Sequence, residues 1–129
     1  MQNIIKNKKI VIAVLMVMAF ALVSCAADKI KFKDAEFEGA VRETLDKPYG
    51  AITQNDVLGI TQLSLPNTVT DISELKYFKN LEELILMDSK VSDISALAEL
   101  VHLKSLWLSG NKITDWSPVA RIEDVKGRP

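Results

Sequence analysis

The sequence predicts an α/β solenoid, a short array of stacked coils with parallel strands on the concave face and a helical cap at the N-terminal end. Three observations carry this. The segment LEELILMDSKVSDISALAEL from Leu81 returns 22 residues later as LKSLWLSGNKITDWSPVARI from Leu103. A slightly shortened copy, ITQLSLPNTVTDISELKYF, opens at Ile60. Apolar residues occupy the same phase of all three, and a fixed period of this length marks coils that bury their cores only by stacking. The chain of 129 residues divides accordingly into 1–24 (leader), 25–33 (tether), 34–59 (cap), 60–124 (coils 60–80, 81–102 and 103–124) and 125–129 (tail).

In the cap, Phe37, Ala40, Val41, Thr44 and Leu45 fall at helical spacing on one face, with Asp34 as N-cap. Lys47-Pro48-Tyr49-Gly50 ends that helix, and Thr53 with Asp56 forms a capping-box start for a shorter one. The helix face is one coil long, which assigns it to covering the first coil.

Within each coil, alternation places Ile60, Leu63 and Leu65, then Leu81, Leu84 and Leu86, then Leu103, Leu106 and Leu108 in the interior. The far side is closed by Val69, Ile72, Leu75 and Phe78, by Val91, Ile94, Leu97 and Leu100, and by Ile113, Trp116, Val119 and Ile122. Polar columns also step through the copies: Asn67, Ser89 and Asn111; Asp71, Asp93 and Asp115; Ser73, Ser95 and Ser117. One carboxylate per coil supplies too few oxygens for calcium, so these read as turn formers that bond to backbone.

The first 24 residues have the form of an export leader. Lys6, Lys8 and Lys9 precede an uncharged apolar stretch from Ile10 to Val23, too short to span a bilayer as a helix. Leu22-Val23-Ser24-Cys25 resembles the lipobox of bacterial lipoproteins, which implies a diacylglyceryl group on the Cys25 thiol and a mature chain beginning there. Ser24-Cys25-Ala26 also fits an ordinary secretory cleavage site. Two acyl chains hold a small domain stably on a membrane. Without the three leader lysines, the 16 basic residues fall to 13 against 17 acidic ones, a balance with no footprint for nucleic acid.

The pattern L-x-x-L-x-L-x-x-N-x-I-x-D-I-S-x-L, matched from Leu103 to Val119 with Trp116 in place of isoleucine, resembles the 22-residue leucine-rich repeat of bacterial internalin-type surface proteins. With the lipobox ahead of it, the chain is similar to small leucine-rich-repeat lipoproteins of Gram-positive bacteria. Internalins carry many more repeats and further domains, so their receptors are not implied for three coils.

No reactive constellation is visible. His102, the single histidine, falls at a solvent-facing coil end without a serine nucleophile, and the five glycines form no phosphate loop. No cofactor or metal is expected. What remains is the outward strand surface, where Ile85, Met87 and Trp107 form an apolar group rimmed by Gln62, Ser64, Glu83, Ser105 and Ser109. That composition fits contact with a protein or peptide at the cell envelope, or Trp107 packing on the tail. The expected molecule is a non-enzymatic, monomeric binding module, lipid-anchored on the extracytoplasmic side of a bacterial cell membrane. The alternative is a self-associating component of an envelope complex, joined through the solenoid end.

Overall fold

A computed structural model describes residues 28–129. Cys25, the lipobox and residues 1–24 lie outside the described residues. Two helices, α1 (Ala35–Thr44) and α2 (Gln54–Val57), precede four strands, β1 (Gln62–Ser64), β2 (Glu83–Ile85), β3 (Ser105–Trp107) and β4 (Asp124–Lys126). All pair in parallel in the order β1-β2-β3-β4. Short 3-10 helices, Ser73–Tyr77, Ser95–Glu99 and Ser117–Val119, form the opposite side of the coils.

The leucine columns stack as the period requires. Leu63 registers with Leu84 and Leu84 with Leu106, and all three are buried. Each buried leucine contributes about 1.5–3 kcal/mol by leaving water. The 3-10 side is equally closed in the first two coils, where Val69, Ile72, Leu75, Phe78, Val91, Ile94, Leu97 and Leu100 are buried. In the third coil Val119 and Ile122 are buried, whereas Ile113 and Trp116 are only half-buried.

Polar columns supply the turns. Asp71, Asp93 and Asp115 accept the backbone N–H of Ser73, Ser95 and Ser117 at 2.8, 2.9 and 3.0 Å, fixing the start of each 3-10 helix. Asn111 donates to Leu86 O and Leu108 O at 2.7 and 3.0 Å and accepts Val91 N–H at 3.3 Å, joining two coils where the chain leaves the sheet. Ser89 is buried in the same role, with Oγ near Pro66 O and Met87 O. Asn67 departs from the column. It is exposed, because the first coil is one residue short on this leg.

Two boundaries differ from the sequence pattern. The polar tether does not extend to residue 33, for Ile30 is buried, Phe32 meets Phe37 edge-on at 5.1 Å, and Lys29 forms a bridge with Thr53. Lys29, Lys31 and Lys33 alternate with Ile30 and Phe32, so the segment is a half-buried extended strip despite its lysines. The tail, in turn, contributes strand residues. Asp124–Lys126 begins a fourth coil, and Val125 joins the leucine column beside Leu106. Strand offsets are 21, 22 and 19 residues, and the last is short by three because its 3-10 helix has three residues instead of five and the leg from that helix to the next strand is one residue shorter. Gly127 makes this close return possible. Its φ is +99°, and a β-carbon there would lie 2.5 Å from Ser109 N.

The cap is tied to the array by Asp34. Its Oδ1 accepts Glu36 and Phe37 N–H as the N-cap of α1, while Oδ2 accepts Thr70 N–H at 2.7 Å, the Thr70 hydroxyl and Asp71 N–H in the first coil. Thr53 and Asp56 form the expected capping box, and Lys47 pairs with Asp56 at 2.8 Å.

Candidate functional site

The outer face of the sheet is built from two rows of side chains that cross the strands. Gln62, Glu83, Ser105 and Asp124 form one row, and Ser64, Ile85, Trp107 and Lys126 form the other. Met87 and Ser109 follow two residues along their strands. Trp107 is 38% exposed and Met87 40%, with Ile85 half-buried between neighbouring rungs. An apolar strip is thus open to solvent at the middle of the face, flanked by small and charged side chains.

Electrostatics tighten the C-terminal side of the strip. Asp124 accepts the Ser105 hydroxyl at 2.9 Å and pairs with Lys126 at 2.9 Å, and Lys126 first, then Ser105, holds its carboxyl below the ordinary range. Ser105 therefore has its proton directed along the row. The tail does not lie over Trp107. It runs beside it as the next strand, leaving the indole accessible.

At the opposite end, α1 and the end of β1 border an open groove of about 730 Å³. Glu36, Gly39, Ala40, Glu43 and Thr44 line its helix side, and Ser64, Leu65 and Pro66 line the strand side. Ser64 also belongs to the Ile85–Trp107 row, so the groove adjoins that row at its β1 end. Sequence reading missed this groove, which depends on where α1 docks. It also missed Lys126 and Asp124, whose signal is a strand offset of 19 rather than 22.

Outside this face, His102 is exposed at its turn. Among the described residues there is no group of three or more His, Cys, Asp or Glu side chains arranged to hold a metal, and no helix long and apolar enough to cross a membrane.

The turn aspartates give the fold a definite acid response. Hydrogen bonds from Ser73, Ser95 and Ser117 lower Asp71, Asp93 and Asp115; Lys47 and Thr53 lower Asp56; Lys79 lowers Glu99. For Asp34, partial burial raises the pKa, but hydrogen bonds from Thr70, Phe37 and Asp71 outweigh it and leave the group lowered. Carboxyls depressed in the folded state stabilise it fully above their ordinary values of 3.8 for Asp and 4.5 for Glu, and that stability is lost as pH falls through the folded values. Thermal melts should accordingly be flat from about pH 7 to about pH 5 and drop steeply below about pH 4.

Parallel rungs, an interior leucine column, a polar column of Asn or Ser at the turn and a helical cap define a leucine-rich-repeat solenoid. A family profile described as "Leucine Rich repeats (2 copies)" matches residues 79–121. Among solved structures, the chain is similar to an internalin F of Listeria monocytogenes, with 33% identity over 73% of this chain and 29% of that one, at a TM-score of 0.68. It is similar to internalin C2 of the same organism, with 35% identity over 74% of this chain and 43% of that one, at a TM-score of 0.67. A Clostridium perfringens ZmpB structure containing CBM51-2 and INT domains matches with 28% identity over 64% of this chain and 19% of that one, at a TM-score of 0.56. No curated protein matches. The molecule is a small leucine-rich-repeat protein of the internalin type, spanning less than half the length of the internalins it matches.

Proposed function

We propose that the chain is a non-enzymatic binding module, held by a lipidated Cys25 on the extracytoplasmic side of a bacterial cell membrane, that grips an extended segment of an envelope protein along the outer face of its sheet. The single observation that carries the reading is the exposed strip of Ile85, Met87 and Trp107, bordered by Gln62, Ser64, Glu83, Ser105 and Ser109. Large aromatic side chains ringed by polar groups are where binding energy concentrates. A face only four short strands wide favours a peptide-like segment over a broad globular partner, since a standard interface needs about 800 Å² per side.

A photo-crosslinker at position 107 on intact cells should capture one discrete protein that a crosslinker at the exposed Ala98 does not. With that partner in hand, replacing Trp107 and Ile85 together by alanine should weaken binding about 30-fold or more, measured at a temperature where the variant is still folded, since two partly buried cross-strand neighbours are lost. Equal labelling from both positions, or undiminished affinity, removes the strip from the account. For the anchor, Cys25→Ser should move the protein from the membrane fraction into the medium; retention on the membrane would contradict lipidation.

A further inference from the structure

The extended strip ahead of α1 carries a row of lysines. Lys29, Lys31 and Lys33 are exposed, and they alternate with Ile30, which is buried, and Phe32, which packs on Phe37. The backbone beneath them is fixed, because Ile30 N–H donates to the Ile52 carbonyl at 2.8 Å and Gln54 N–H to the Asp28 carbonyl at 2.9 Å. Side chains two residues apart on an extended segment project the same way at intervals of about 7 Å, so the three ammonium groups line one surface of the cap. None of them has an ion-pair partner among the described residues, whereas Lys47, Lys79, Lys104 and Lys126 do. Two carboxylates beside the row are already engaged: Asp34 accepts five hydrogen bonds, and Asp71, which feels the charge of Lys33, accepts both donors of Ser73. Asp28, at the start of the row, offsets one of the three charges.

Reach decides what the row meets. Ala26, Ala27 and Asp28 are all that separate Cys25 from Lys29, so the two α-carbons stand at most about 14 Å apart however those residues are arranged. A headgroup layer is about 5–8 Å thick on each leaflet, and the screening length at physiological salt is about 8 Å. With acyl chains on Cys25 in the bilayer, Lys29 is held inside the negative potential of the surface, and laying the strip flat brings Lys31 and Lys33 in with it. We infer, on the footing of a lipidated Cys25, that Lys29, Lys31 and Lys33 seat the cap on the anionic phospholipid headgroups of the same membrane. Each lysine brought to such a surface favours contact about 5-fold. The anchor holds the chain to the bilayer, and the row fixes which side of the cap faces it.

The test uses the chain purified from cell membranes in mild detergent and reconstituted into vesicles of phosphatidylcholine, or of phosphatidylcholine mixed with phosphatidylglycerol. Lysine acetylation is then followed site by site by mass spectrometry. On the anionic vesicles Lys29, Lys31 and Lys33 should acetylate at least about 3-fold more slowly than on the neutral ones, with the exposed Lys90 and Lys112 unchanged, and the difference should vanish in molar salt. In K29E/K33E the remaining Lys31 should lose its protection. Protection equal on both vesicles, shared by Lys90 and Lys112, or persisting at Lys31 in K29E/K33E would each overturn the proposal. Flotation with phosphatidylcholine vesicles reads the anchor by itself. A chain that floats but shows no protection overturns the lysine row alone, and a chain that does not float overturns the anchor and the row together.

Discussion

Replacing Phe37 by alanine should lower the unfolding free energy by about 3–5 kcal/mol and the melting temperature by on the order of 20 °C. The ring is fully buried where cap and array meet, edge-on to Phe32 at 5.1 Å and stacked on Phe78 at 5.8 Å. Truncation leaves a void bounded by α1, the extended strip at Ile30–Phe32 and the first 3-10 helix, three segments that cannot all close inward. Total stability of a body this size is about 5–15 kcal/mol, so the variant should be near the edge of folding at physiological temperature. Calorimetry against Tyr49→Ala, an 85% exposed aromatic in the same cap, provides the control, which should shift by less than about 0.5 kcal/mol. Comparable, small shifts for both would mean that the cap does not share the array's core.

Asp34→Ala should cost about 2–3 kcal/mol, more than an ordinary N-cap substitution. Five donors converge on this carboxylate, two from α1 and three from Thr70 and Asp71. Removing it frays the helix start and frees the first turn of the array together. Amide exchange at Thr70 and Asp71 should accelerate along with the loss in denaturant midpoint, a long-range signature that a simple cap would not give. Asp34→Asn should be intermediate, because its amide presents an N–H to at least one of the donors now served by oxygen. A cost below about 1 kcal/mol with unchanged exchange at Thr70 would sink this role.

What the sequence disclosed and what it concealed divide by range. The leucine phases, the Thr53–Asp56 box and the first function of Asp34 obey rules that act over two to four residues or through exact repetition, and each was legible. The second function of Asp34 spans 36 residues and follows no local pattern. Ile30 and Phe32 were hidden by the lysines that alternate with them. The outward residues of β1 to β3 followed from alternation alone, yet the row was incomplete, because Lys126 stands 19 residues after Trp107 and escapes a search at 22. Arg121 and Arg128 were likewise unremarkable in sequence. In the fold, Arg121 donates to the Leu97 and Leu100 carbonyls of the preceding coil and Arg128 to the Val119 carbonyl at 2.8 Å, satisfying acceptors where 3-10 helices end. The groove beside α1 required knowing how a helix docks on a strand, which no spacing encodes.

The unequal coil lengths have a consequence for how such a chain changes. Spans of 21, 22 and 19 residues each advance the sheet by one rung, with the slack taken up on the leg beyond the strand or in the 3-10 helix. Residues gained or lost on that outer flank leave the spacing of the rungs at about 4.8 Å. The ruler laid down by Ser64, Ile85, Trp107 and Lys126 is therefore insulated from indels on the back of the molecule, and the two sides are free to diverge at different rates.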